Sequence, residues 1–282
     1  MRNRKDGIRV KNLSGINSLI PHLKPSRADS DVYINMKIDV SELVEYYEKL
    51  RKQKETEDIT YFHIFCTAMG MVIYNRPLLN RFIINKKFYD RKNVSISFVA
   101  KKEFTDDSEE TLNLVKIAED DNLFSLGKKL NNTVEAVRNQ KTNSTDDIVS
   151  FVGKMPKFMK AFVMAIIRFC DNHDLLPASI TDNLIYYSTV LVSNLGSIKC
   201  GAIYHNLTDL GTNSILITIG EIKDEPVVID GKIEIRTMCE LGANLDERIA
   251  DGFYFVKSLK LFEHILKNPH LLENNSNTKI DF

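Results

Sequence analysis

Two apolar periods, one of two residues and one of about 3.6, take turns along the chain in ordered blocks. In Asp31–Asp39 the apolar Val32, Ile34, Met36 and Ile38 fall on one side and Tyr33, Asn35 and Lys37 on the other, which predicts a half-buried strand. The stretch S-E-L-V-E-Y-Y-E-K-L-R-K from Ser41 predicts a helix: its acidic start and basic end suit the helix dipole, and Ser41 is a candidate cap. Before these elements, Leu13–Leu23 predicts a short helix stopped by Pro21 and Pro25. Thr60 is a candidate cap for a further helix that runs to Asn75 and ends at R-P-L-L-N. His63, inside it, is read as packing or hydrogen-bonding locally. Arg81–Tyr89 predicts a hairpin folded at Asn85-Lys86-Lys87, and the alternation of Val94, Ile96, Phe98 and Ala100 predicts a strand over Asn93–Lys102.

The order strand, two helices, hairpin, long strand suits a mixed sheet covered on one face, so the fold class is α/β. A short strand at Leu112–Ile117 precedes an amphipathic helix near Asn122–Asn139, with Leu123, Leu126, Leu130 and Val134 at helical spacing. Lys141–Asp147 is polar and reads as a surface loop that tolerates insertion. Phe158–Cys170 is apolar nearly all round, which implies burial on most sides, as core packing first and as a subunit contact second. Beyond Pro177, the β-branched and aromatic run Asn183–Ser193 predicts a central strand. Ser214–Gly220 is another apolar strand, and Asp230-Gly231 between two alternating runs is a two-residue hairpin signal. The charged cluster Asp246, Glu247 and Arg248 then separates an apolar alternation from the amphipathic stretch after Asp251-Gly252. Side chains at such strand-to-helix junctions face a cleft more often than a core.

With 282 residues the chain has room for a large core, and only short linker-like stretches interrupt it, so one domain over 1–282 is expected. Lys plus Arg and Asp plus Glu both number 38, which leaves no global electrostatic reason to expect nucleic acid or an anionic membrane. A basic start and an acidic loop around Asp106–Glu110 read as solvated surface. The four cysteines are widely separated and no histidine sits at ligand spacing, so free thiols and no metal are expected. No apolar core or cleavage site follows the charged N-terminus, and Phe158–Cys170 is too short to span a bilayer. A soluble cytoplasmic protein is expected. Walker-type, G-x-S-x-G, H-E-x-x-H and G-x-G-x-x-G motifs are missing, which argues against nucleotide hydrolysis, an α/β-hydrolase and a zinc protease.

Three motifs then occur in order: S-N-L-G at Ser193–Gly196, P-V-V-I-D-G at Pro226–Gly231 and D-E-R-I-A-D-G at Asp246–Gly252. Their succession over Leu184–Leu272 resembles the catalytic domain of the 2-oxoacid dehydrogenase (dihydrolipoyl) acyltransferases, which share the fold of chloramphenicol acetyltransferase. Upstream the agreement is scattered, as in I-P-H at Ile20–His22 and R-P-x-L-N ending at Asn80. The resemblance implies a chloramphenicol acetyltransferase-like two-layer α/β sandwich with a mixed sheet. It also implies a thioester-dependent acyltransferase, with coenzyme A or acyl-CoA as substrate, and a homotrimer whose active sites lie between subunits. Ser193 matches the serine that donates to the oxyanion when a thiol attacks a thioester. Asp251 matches an aspartate that makes a structural ion pair with an N-terminal arginine, and Arg9 is the candidate partner. No lipoyl-bearing or peripheral-subunit-binding segment is present, so a free-standing protein without covalently bound lipoate is expected. An acyl-chain pocket wall becomes a third use for Phe158–Cys170.

Glu247 stands where the resembling family has its general-base histidine. Carboxylates titrate about two units below imidazoles, a gap worth roughly 3 kcal/mol in driving force for thiol deprotonation. A carboxylate also repels a forming thiolate. Glu247 is therefore read either as an altered base or as a residue that pairs with a nearby cation and holds the loop. His205, in the loop after Ser193, is the alternative base. A degenerate trimer that keeps the fold and serves as a binding or assembly protein is the other functional class.

Overall fold

The computed structural model describes residues 3–101, 110–139 and 152–282; Lys141–Asp147 lies outside the described residues. A six-stranded mixed sheet organises the chain, in the order β2 (Asp31–Asp39), β9 (Lys232–Asp246), β8 (Ile215–Ile229), β7 (Val190–Asn194), β5 (Val94–Lys101) and β6 (Glu110–Ile117). β7 runs parallel to both neighbours and the other pairings are antiparallel. A smaller antiparallel sheet joins β1 (Gly7–Arg9), β4 (Lys87–Arg91) and β3 (Arg81–Ile84).

Helices cover one face of the large sheet. Alternate strand residues such as Ile38, Ile96, Val192, Ile215 and Leu241 share a buried core with α2 (Ser41–Arg51), α3 (Tyr61–Asn75), α4 (Leu123–Asn139) and α6 (Gly252–Lys267). The central α3 is buried without interruption from His63 to Ile73. His63 acts locally, as the sequence suggests: its Nδ1 accepts the Thr60 N–H at 3.2 Å, closing the first turn.

Local chemistry explains where the elements depart from the sequence pattern. α1 (Gly15–Leu23) runs through Pro21, which is buried, and the Lys24 N–H still closes on the Ile20 carbonyl. Ser41 opens α2 instead of capping it, and the Asp39 carboxylate accepts its N–H at 3.0 Å and its hydroxyl at 2.6 Å. Both tight hairpins use left-handed turn pairs, Asn85-Lys86 and Asp230-Gly231, with positive φ at each position. The run from Asn183 becomes a strand only at Val190. Ser188 Oγ donates to the Ile185 carbonyl at 2.9 Å, and that local bond draws Ile185–Tyr187 into a 3₁₀ turn.

The larger correction concerns the apolar run Phe158–Cys170. It forms α5 (Lys157–Asn172), and within that helix only Asp171 is buried. Phe158, Phe162 and Phe169 are 75%, 67% and 57% exposed, so core packing does not account for them. Val163, Met164, Ile167 and Cys170 are half-buried and sit on the opposite side of the helix.

Candidate functional site

β9 delivers the D-E-R cluster at its C-terminal end with alternate side chains turned in and out. Asp246 and Arg248 point inward and form a buried bidentate pair, with Nε–Oδ1 2.8 Å and Nη2–Oδ2 2.7 Å. The same carboxylate accepts the Arg248 N–H, and Arg248 Nη1 donates to the Lys24 carbonyl at 2.9 Å. Glu247 points outward between them. Its backbone N–H donates to the Ser30 carbonyl, and its carboxylate pairs with the Lys24 ammonium, both side chains remaining partly exposed. The segment after α1 thus holds the D-E-R loop by three contacts, two from Lys24 and one from Ser30.

Asp251 is exposed and caps α6 by accepting the Tyr254 N–H at 2.7 Å. The expected ion pair between Asp251 and Arg9 is not formed. Arg9 lies on β1 with its guanidinium 5.4 Å from the Tyr89 ring centre, and a helix cap needs no arginine. The N-terminal arginine with a buried carboxylate partner is Arg4, bound to Asp171 at 3.0 Å and to Asp6 at 2.9 Å. Burial works against the Arg4 charge; the hydrogen bond and charge of Asp6, then those of Asp171, more than offset it, so its pKa lies above the ordinary value.

Ser193 lies near the end of β7, half-buried, and among the described residues its hydroxyl has no hydrogen-bond partner. It shares a sheet face with Thr218 and Gly242, its register partners across β8 and β9. The following Gly196 is required by packing, because a Cβ there would meet the Gly220 carbonyl oxygen at 2.5 Å. The Gly201–Leu207 segment crosses this face: Ile203 O accepts the Thr218 hydroxyl, Tyr33 OH donates to Asn206 Oδ1 at 2.7 Å, and the Leu207 N–H donates to Asp31 Oδ2. His205 belongs to that segment; it is exposed and has no hydrogen bond among the described residues.

The register fixes how far apart these positions are. Glu247 lies five residues beyond Gly242 on the β9 path, which is roughly 17 Å along the strands. Two strand spacings add roughly 10 Å across. Ser193 and Glu247 of one chain therefore do not meet. The buried Arg27, which donates to the Gly211 carbonyl at 2.6 Å and to Thr208 O at 3.2 Å, anchors the far end of the covering loop. Lys24, Arg27 and Asn244, whose buried amide has no partner among the described residues, carry no signal in the sequence because their surroundings come from distant segments. Among those residues, no group of His, Cys, Asp or Glu is placed to hold a metal, and no helix is long and apolar enough to cross a membrane.

Comparison with known proteins relates the sequence and the fold to a family. The lipoamide acyltransferase component of the branched-chain alpha-keto acid dehydrogenase complex of Bacillus subtilis (strain 168) is 22% identical over 241 residues, 83% of this chain and 46% of that protein. The chain thus spans about half the length of that relative. A probable dihydrolipoamide acetyltransferase from Listeria monocytogenes has a TM-score of 0.60 at 17% identity, covering 93% of this chain and 95% of that one. A chloramphenicol acetyltransferase has a TM-score of 0.55 at 10% identity, covering 93% and 98%. These likenesses establish the fold as chloramphenicol acetyltransferase-like. The model of the family described as 2-oxoacid dehydrogenases acyltransferase (catalytic domain) matches residues 17–148 and 173–273, which include Ser193, Glu247 and Asp251. On that match the chain belongs to the 2-oxoacid dehydrogenase acyltransferase catalytic-domain family.

Proposed function

We propose that the protein transfers an acyl group between a thioester such as acyl-CoA and an acceptor thiol, in sites formed where Ser193 of one copy faces Glu247 and Lys24 of another. The observation that carries this reading is the Lys24–Glu247 pair. A histidine base starts neutral and becomes a monocation when it takes a proton. The Lys24–Glu247 pair also starts neutral, and protonating the carboxylate leaves one positive charge. The pair reproduces the charge change of an imidazole, and the ammonium offsets the repulsion that a lone carboxylate would exert on a forming thiolate. In the reaction the thiol proton passes to Glu247 and the sulfur attacks the thioester carbonyl. Ser193 donates to the oxyanion, and collapse expels the coenzyme A thiolate, which takes the proton back.

The separation of Ser193 from Glu247 within one chain supports a site between copies. So does the ribbon where β8 and β9 continue past the sheet. Val228 and Ile233 are register partners there, Ile235 follows on the same face, and these side chains are 72%, 76% and 67% exposed. An apolar ribbon of this kind fits a neighbouring copy in a homotrimer.

The test is an acyl-CoA panel scored by free-thiol release. Glu247→Gln and Ser193→Ala are each expected to lower turnover by ~10²-fold or more, and Lys24→Met by at least ~10-fold. The partial exposure of the Lys24–Glu247 pair favours a second reading, in which it only tethers the loop and the protein binds or assembles without turnover. Coenzyme A binding by calorimetry with no thiol release from any panel member would establish that second reading.

A further inference from the structure

α5 lies wholly within residues 149–172, the stretch left unmatched between the two segments of the family model. At about 100° per residue, Phe158, Phe162, Ile166 and Phe169 fall within roughly 80° of arc and form one exposed apolar stripe. Lys157 and Arg168 are exposed along one border of it. Between Val152 and Cys170 the sequence has four cations, Lys154, Lys157, Lys160 and Arg168, and no carboxylate. The next acid, Asp171, is turned inward onto Arg4, and Asp174 accepts the Lys5 N–H. The C-terminal end of the helix is thereby fixed to the protein while its aromatic face stays outside.

We infer that α5 docks on an anionic lipid surface, lying in the plane of the headgroups with the phenylalanine stripe directed into the acyl boundary. Aromatic side chains on one face and cations beside them are what an interfacial helix requires. The charge selects this occupant over another copy of the helix, which would bring like cations together, whereas phosphate headgroups complement them. The helix lies on the membrane and does not span it.

Flotation of the full chain with vesicles tests the inference. The chain is expected to float with vesicles of equal phosphatidylcholine and phosphatidylglycerol, to stay behind with phosphatidylcholine alone, and to be released at high salt. Phe162→Asp combined with Phe169→Asp is expected to weaken anionic-vesicle binding by on the order of 100-fold, with molar mass by light scattering and far-ultraviolet dichroism unchanged. Lys157→Glu combined with Arg168→Glu leaves the stripe intact and is expected to weaken binding by at least ~10-fold. No flotation of the wild type with anionic vesicles, or equal flotation of the phenylalanine variant, overturns the inference. A fall in molar mass for that variant overturns it too and assigns the face to a second copy.

Discussion

Two buried arginine–aspartate pairs in this molecule are built in opposite ways. Asp246 and Arg248 are two residues apart, so their pair is made within one turn of chain and shapes the loop that carries Glu247 outward. Arg4 and Asp171 are 167 residues apart, and their pair joins the N-terminal segment to the end of α5. A local pair fixes the shape of a loop. A distant pair fixes where a whole element attaches, and α5 depends on it because only one side of that helix packs on the body.

Breaking each pair separates these roles. Asp246→Ala strands a buried guanidinium and is expected to cost about 3–5 kcal/mol in chemical denaturation, the largest effect predicted here. Arg4→Ala strands Asp171 and is expected to cost about 3 kcal/mol while leaving the Glu247 loop in place, so proteolysis should become faster near α5 alone. Equal protease sensitivity of both regions in Arg4→Ala would contradict the division.

A third effect of similar size depends on acid. Burial drives the His63 pKa down to about 4 from 6.5, with Asn131 and Asp58 opposing only in part. Because the folded-state value lies below the unfolded one, the stabilisation is complete above pH 6.5 and is lost as the pH falls toward 4. The gap of 6.5 − 4 = 2.5 units corresponds to about 3 kcal/mol. His63→Gln is expected to flatten the stability profile between those pH values, and an unchanged profile would show that another group titrates there.

The smallest effects sharpen the reading of the signature loop. Asp251→Ala removes a helix cap and is expected to cost about 1 kcal/mol, well below the loss of a buried ion pair. Lys24→Ala removes a partly exposed pair and is expected to change stability by less than about 1 kcal/mol. A loss of several kcal/mol in either variant would show a larger structural role than these contacts provide.

Legibility followed the range over which each feature is determined. The strand at Asp31–Asp39 and both hairpins were readable because alternation and turn chemistry act over a few residues. The junction at Asp246–Gly252 was readable for the same reason. Lys24 and Asp171 were not, since a cation 223 residues from its carboxylate leaves no pattern in the chain. Asp251 was misread because a resemblance carries a residue's place more faithfully than its partner: the aspartate is at the matching position, but here it caps a helix. α5 was misread because apolar content implies burial without saying what does the burying.

The central claim is that Ser193 and the Lys24–Glu247 pair act together only across two copies. Ser193→Ala and Glu247→Gln chains, unfolded, mixed in equal amounts and refolded together, test it by thiol release from acyl-CoA. Each variant alone is expected to be nearly inactive, and the mixture is expected to recover about a quarter of wild-type turnover, the value for random pairing of one intact serine with one intact glutamate. A mixture no more active than its parents, from material in which the wild type refolds to full activity, would contradict the claim.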